Sequence, residues 1–306
     1  MSILDRLLST NHQLHVDEEK HIQVNKILTA LIEDGIDKLH IVADYDYTLS
    51  RYEKNGQILP TTFGVIESCD KVRLPDNTLL RIKADELRLH YHPFEMDVHM
   101  SVEQKIPLMI EWWRAAQDLL ISCNITKSML FDIVKESQME FKDGVNEFIA
   151  RSLKDKIPIL IFSAGLGDII EIFLEINVPA FRLQEHTPTE STHIVSNFMD
   201  YDSKSFHFTG FKDKLIHAFN KNEYEIYDTP YYNQIKQRPN VILLGDTLGD
   251  VGMIAGMKNL QNILKIGFLN NYNETKLKVY KSVYDLVICN DQTFTIPNQI
   301  LDEIQK

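Results

Sequence analysis

Apolar residues along this chain fall into two rhythms. Leu39-His40-Ile41-Val42-Ala43, Ile157 to Phe162, Ile194-Val195, Val241 to Leu244, Ile263 to Phe268 and Leu286 to Cys289 are short, nearly continuous runs, the pattern of strands buried on both faces. Elsewhere the spacing is helical. Val24, Ile27, Leu28, Leu31 and Ile32 form one stripe, with Asp17 as a candidate N-cap and Gly35 at its close. From Pro60 to about Glu140 the pattern is helical throughout: Thr62 to Cys69, Asp76 to Tyr91, Val102 to Cys123 and Lys127 to Gln138. Ser101 with Gln104, and Thr126, supply start signals for the last two. Strand and helix alternate again after Asp143. The prediction is an α/β fold with a doubly wound, mostly parallel sheet over 1–59 and 141–306, and a four-helix cap inserted over 60–140.

Polar chemistry clusters where the strand patterns stop. Asp44 and Asp46 follow the first run, and residues two apart in an extended segment project to the same side. The C-terminal edge of such a sheet is where open α/β folds bind ligands. Taken alone, the pair is also compatible with a polar turn. Two further runs stop at Ser163-Ala164-Gly165-Leu166-Gly167-Asp168, which reads as a loop opening a helix, and at Gly245-Asp246-Thr247-Leu248-Gly249-Asp250. Between them lies Phe211-Lys212-Asp213-Lys214, at the start of another helical pattern.

A strand ending in DxDxT, a strand ending in serine, a lysine and a strand ending in GDxxxD, in that order, resemble the haloacid dehalogenase superfamily of phosphohydrolases. The resemblance implies Asp44 as nucleophile, forming an aspartyl phosphate, and Asp46 as the acid that protonates the leaving alkoxide and then activates water. Carboxylates converging on a phosphate dianion require cations. Asp44, the Asp46 backbone carbonyl and Asp246 would supply hard oxygen ligands to Mg²⁺, with Asp250 orienting a water or holding the lysine behind them. Ser163 and backbone N–H groups of its turn would bind phosphoryl oxygens. Lys212 is the expected cation, with Lys214 as its competitor.

Composition fits such an enzyme. With 306 residues, 44% of them hydrophobic, the chain can bury a substantial core. A formal net charge of −12 argues against a nucleic-acid polymer as partner. Three cysteines, Cys69, Cys123 and Cys289, are odd in number and widely spaced, as expected of thiols in a reducing compartment. No apolar run approaches the roughly 20 residues that span a bilayer, and Met1 to Thr10 does not read as a secretory signal. A cytoplasmic monomer without membrane contact is expected.

Substrate choice must come from the cap, since the core meets only phosphate. Pro60-Thr61-Thr62-Phe63, Glu111-Trp112-Trp113 and the loop glutamate Glu95 are its candidate contacts. Ile106, Met109, Ile110, Trp113 and Leu120 share a helix face, so either tryptophan is equally readable as core.

The segments Asp44 to Tyr52, Pro60-Thr61, Ile161 to Gly165, Ser196 to Asp200, Phe211-Lys212, Leu215-Ile216-His217, Leu244-Gly245-Asp246 and Leu264 to Asn270 closely resemble the cytosolic pyrimidine 5′-nucleotidase family. That likeness covers roughly residues 15–305 and implies Mg²⁺-dependent hydrolysis of nucleoside 5′-monophosphates. It implies Ser163, Ala164 and Lys212 as phosphate contacts and Glu95 as the reader of the base. Glu111-Trp112-Trp113 and Ala116 look like the branch that also hydrolyses 7-methylguanosine monophosphate. A methylated guanine is a delocalised cation, and aromatic faces favour a cation by about 0.5–2 kcal/mol. Phe63, Trp113 and Glu95 are thus the expected cage, with 7-methyl-GMP preferred and CMP second, since Glu95 can accept hydrogen bonds from either base.

Tyr45 and Tyr47 depart from the family's usual phenylalanine and methionine, and their hydroxyls need partners if buried. The segments 184–192 and 223–232 are longer than in relatives. Alternatives are a nucleotidase preferring CMP and UMP, a phosphatase of sugar phosphates or phosphoserine, and a catalytically silent nucleotide-binding protein.

Overall fold

The structure is a computed structural model and describes residues 1–97, 99–182, 192–212, 214–217, 219–221, 230–255 and 257–306. Most of 184–192 and 223–232 lies outside these residues. The strands are β1 (Leu14–His15), β2 (Leu39–Ala43), β3 (Glu53–Lys54), β4 (Gln57–Ile58), β5 (Ile159–Leu166), β6 (Thr192–Asn197), β7 (Met199–Tyr201), β8 (Phe208–Phe211), β9 (Asn240–Gly245), β10 (Asn262–Leu269) and β11 (Leu286–Cys289). The helices are α1 (Ile3–Thr10), α2 (His21–Asp34), α3 (Thr62–Glu67), α4 (Leu80–Met96), α5 (Val102–Ser122), α6 (Lys127–Glu136), α7 (Val145–Lys154), α8 (Gly167–Asn177), α9 (Pro179–Arg182), α10 (Pro230–Ile235), α11 (Glu274–Val283) and α12 (Thr295–Ile304).

One sheet runs β1-β11-β10-β9-β2-β5-β6, parallel throughout except for β1. Alternation along each strand feeds two apolar layers. Ile41, Ala43, Ile159, Ile161, Ile242 and Leu244 join one cluster with α1, α2, α7, α8 and α12, while Val42, Leu160, Phe162, Val241 and Leu243 join the other with α10 and α11. Both faces are covered, which is why the runs read as continuously apolar. The α2 stripe is buried at Val24, Ile27, Leu28 and Leu31. Asp17 caps a short 3₁₀ turn, Glu18–Lys20, that leads into it.

Helices α3 to α6 occupy the interval between β2 and β5. The Ser101/Gln104 capping box and the Thr126 cap form as expected. Three local expectations give way. Helix α4 starts at Leu80 because the Asp76 carboxylate takes the Thr78 N–H at 2.9 Å in a turn that competes with helix. The helix then runs through Pro93 to Met96, so Glu95 stands in its last turn and not in a loop. Phe211 closes a β7–β8 hairpin and does not open a helix.

Candidate active site

Three neighbouring strands, β9, β2 and β5, run in register where β2 ends. Ala43 pairs with Leu244 on one side and Ile161 on the other, so Asp44, Asp246 and Ser163 emerge at one edge of the sheet. Ser163 lies inside β5, because the strand continues to Leu166 with a break in its pairing to β6 after Phe162. Carboxylate oxygens of Asp44, Asp246 and Asp250 lie within 4.8 Å of one another. The approach is close enough that a Cβ on Gly245 would stand 2.5 Å from that of Asp250.

The cation in this cluster is Lys221, not Lys212. Its ammonium, on a residue only 8% exposed, bonds Asp44 Oδ1 and, at 2.9 Å, Asp250 Oδ1. Burial works against its charge, but Asp250 and Asp44 outweigh it and raise the lysine pKa. Lys212 directly follows the β8 strand, its N–H tied to the Phe198 carbonyl at 2.8 Å, and its exposed side chain lies in the field of Asp168 and Glu171. Lys214 is exposed as well. Asp250 fills the role of holding the lysine: Oδ2 accepts the Asp246 and Thr247 N–H groups at 3.1 and 2.8 Å, leaving Oδ1 for Lys221.

Asp44 also accepts the Thr48 hydroxyl at 2.9 Å. Burial raises its pKa, while Lys221 pulls it down. Asp246 is pushed up by burial and by Asp44 and Asp250. Among the described residues neither the Asp246 carboxylate nor the Asp46 carbonyl receives a hydrogen bond. Three carboxylates face one contacting ammonium, an imbalance that suits a divalent cation with oxygen ligands.

Asp46 is set apart from the other acids. Both its oxygens are taken by Thr62, from the backbone N–H at 2.8 Å and the hydroxyl at 2.7 Å, and that hydroxyl accepts the Leu166 N–H at 3.1 Å. A Cβ on Gly165 would stand 2.0 Å from the Thr62 hydroxyl, so only glycine fits there. Burial raises Asp46 to about 6 despite both bonds, the direction needed by a group that starts as an acid. The sequence drew attention to Thr62 only as part of a segment. Its contact spans too many residues to leave a pattern.

The cap reaches this edge through Trp113, whose indole N–H donates to the Ala164 carbonyl at 3.0 Å. Trp112 is the one stacked within the cap, against Tyr91 at 6.0 Å, with Trp113 edge-on to it. Glu95 is half-buried; burial raises its pKa, and Lys105 and the catalytic-edge Lys221 both pull it down. Phe63 is half-buried on α3, packed against the main core. Ser163 Oγ accepts the Gly165 N–H at 3.0 Å.

Behind the Asp44 to Thr48 loop, buried Lys142 donates to Asn270 Oδ1 at 2.8 Å, and Asn270 Nδ2 holds the Tyr47 carbonyl at 3.0 Å, where φ is +63°. The Tyr47 hydroxyl finds the Leu59 carbonyl at 3.1 Å. Among the described residues, that of fully buried Tyr45 has only the Met139 sulfur, at 3.7 Å.

Residues 47–305 match the family described as Pyrimidine 5′-nucleotidase (UMPH-1). The chain belongs to that family. Pyrimidine 5′-nucleotidases hydrolyse a phosphoric monoester. The chain is 39% identical over 274 residues to 7-methylguanosine phosphate-specific 5′-nucleotidase A of Xenopus laevis, covering 90% of each chain. It is 36% identical over 282 residues to the Homo sapiens 7-methylguanosine phosphate-specific 5′-nucleotidase, covering 92% of this chain and 90% of the other. Its fold matches the crystal structure of cytosolic 5′-nucleotidase IIIB bound to cytidine with a TM-score of 0.84, at 29% identity, over 100% of this chain and 98% of that one. A probable phosphoserine phosphatase from Vibrio cholerae shares the fold at 14% identity and a TM-score of 0.51, over 94% of this chain and 74% of the other.

Proposed function

We propose that the protein hydrolyses nucleoside 5′-monophosphates, with 7-methyl-GMP preferred and CMP second, through an aspartyl phosphate on Asp44. The observation that carries this reading is the meeting of a cap tryptophan with the strand of Ser163, Trp113 on the Ala164 carbonyl, together with a glutamate within the field of Lys221. In this reading the aromatic face and the carboxylate serve the base while Asp44 meets the phosphorus. The names of the relatives support methylguanosine as the base, and the cytidine held by the structural neighbour supports CMP as the second substrate.

In this mechanism Lys221, Ser163 and Ala164 hold the phosphoryl oxygens. Asp44 attacks phosphorus in line, and Asp46, protonated at the outset, gives its proton to the departing 5′-oxygen. Asp46 then takes a proton from the water that cleaves the aspartyl phosphate. Asp44, Asp246 and the Asp46 carbonyl would hold Mg²⁺, which neutralises charge on the phosphoryl group when bound. Glu95 accepts from the base edge, while Phe63 and Trp113 flank its ring. The site needs no second copy of the chain, and Cys69, Cys123 and Cys289 are free thiols, so a cytoplasmic monomer is part of the proposal. No helix among the described residues is long and apolar enough to cross a membrane.

A panel of 7-methyl-GMP, CMP, UMP and GMP, assayed for phosphate release with Mg²⁺ and with EDTA, tests the reading. Turnover should need the metal, and kcat/KM should be highest for 7-methyl-GMP and lowest for GMP. Equal values for GMP and 7-methyl-GMP would overturn the methylguanosine preference, and full activity in EDTA would overturn the metal.

A further inference from the structure

Asn197, at the end of β6, is 2% exposed and lies outside every catalytic role assigned above. Its carboxamide is saturated. Nδ2 donates to the carbonyls of Ala164 at 2.8 Å, Gly165 at 3.2 Å and Ile216 at 2.9 Å, and Oδ1 accepts the Ile216 N–H at 2.9 Å. Ser196 adds a bond to the Gly165 carbonyl at 3.0 Å. Two segments that never pair as strands are therefore joined by one side chain.

Peptide planarity turns these bonds into aim. A carbonyl held on one side points the next N–H to the other. Pinning the Ala164 carbonyl directs the Gly165 N–H to Ser163 Oγ, and pinning the Gly165 carbonyl directs the Leu166 N–H to the Thr62 hydroxyl that donates to Asp46. On the other arm, both polar groups of the Ile216 backbone are bound. The turn after it is tied to itself, His217 N–H to Asn220 Oδ1 at 2.7 Å and Asn220 Nδ2 to the Leu215 carbonyl at 2.9 Å, and the next residue is Lys221. The Ala164 carbonyl shared with Asn197 is also where Trp113 docks.

We propose that Asn197 is a positioning residue for the phosphohydrolase reaction, holding the phosphate-binding turn and the segment that delivers Lys221 at a fixed spacing around one phosphoryl group. Only a carboxamide of this length offers donors to one arm and both a donor and an acceptor to the other. Aspartate keeps the acceptor and loses the donors; alanine loses both. The proposal rests on the reading of Ser163, Ala164 and Lys221 as phosphate contacts.

The test compares the full chain with Asn197→Ala, Asn197→Asp, Ser196→Ala and Asn177→Ala, the last removing a helix-end amide bonded to the Phe173 carbonyl at 2.9 Å. Melting temperature, kcat and KM for the best nucleotide, and calorimetric binding of inorganic phosphate with Mg²⁺ are read for each. Both Asn197 variants should lower kcat by about 30- to 300-fold and weaken phosphate binding by about tenfold, as expected when oriented contacts drift. Ser196→Ala, which removes one of several bonds, should lower kcat by less than about fivefold. Asn177→Ala should match wild type. Should Asn197→Ala fail to fold, the near-isosteric Asn197→Asp carries the comparison. Folded Asn197 variants with kcat and phosphate binding within about twofold of wild type would overturn the proposal. So would an activity loss that disappears below the variant's melting transition. If wild type turns over no nucleotide and the Asn197 variants still bind phosphate weakly, the nucleotide reading fails while the positioning role stands.

Discussion

Replacing Lys221 separates this account from the one that the chain's sequence suggested, in which Lys212 serves the phosphate. Lys221→Met removes an ammonium whose two partners, Asp44 and Asp250, are both buried. Breaking a buried ion pair from one side costs about 3–5 kcal/mol, because the remaining charges are left facing each other. In catalysis, losing a cation aimed at the transferring phosphoryl group costs about 10²- to 10³-fold in kcat, the scale of an oriented electrostatic contact. Lys212→Met removes an exposed lysine, whose long-range attraction to Asp168 and Glu171 is screened and worth about 0–1 kcal/mol. Urea unfolding gives the stabilities, and phosphate release with Mg²⁺ gives the rates. Lys221→Met should be less stable and at least about 100-fold slower, with Lys212→Met within about twofold of wild type on both measures. The reverse ranking, with Lys212→Met inactive and Lys221→Met active, would refute the placement of the cation.

Two further outcomes follow from buried groups. His40, on β2, is fully buried, and neither ring nitrogen has a partner among the described residues. Burial and Arg238 lower its pKa from 6.5 to about 3, so the unfolded chain binds a proton that the folded chain refuses. Stability is fully present above about pH 6.5 and drains as pH falls toward 3, with about 2 kcal/mol lost by pH 5 from this group alone. Urea unfolding at pH 7 and pH 5 should give His40→Leu a pH-dependent loss smaller by about 2 kcal/mol, and equal losses would reject the assignment. Thr62→Val removes a hydroxyl that favours the ionised form of Asp46. The basic limb of the kcat/KM profile should therefore move to higher pH, with the maximum reduced by about tenfold; an unmoved limb counts against Asp46 as the acid.

Much of this was visible in the residues themselves. Strand runs and helix stripes are local signals, and so are the caps at Ser101 and Thr126, because they depend on neighbours within a turn or two. The aspartates were legible for a related reason: Asp44 and Asp46 sit beside the strand that carries them, and Asp246 with Asp250 share one short loop. Lys221 was not. It meets Asp44 across a separation of 177 residues, and the sequence offered Lys212 and Lys214 nearer to a familiar motif. Thr62 bonds Leu166 across 104 residues, and Asn197 joins Ala164 to Ile216; neither contact leaves a period or a spacing to read. Glu95, read from the sequence as a loop glutamate, stands in α4, which runs on through Pro93. Tyr45 and Tyr47 posed a question that only packing could answer, and the answers differ: a carbonyl for Tyr47, a thioether sulfur for Tyr45.

The covalent step on Asp44 is the claim on which the mechanism turns. Acid-quenching the enzyme during turnover of 7-methyl-GMP, followed by peptide mapping in a mass spectrometer, reads it directly. The account predicts one acid-stable, base-labile phosphoryl group on the peptide containing Asp44, absent from Asp44→Asn. A fully active enzyme that carries no adduct there at any time during turnover would contradict it.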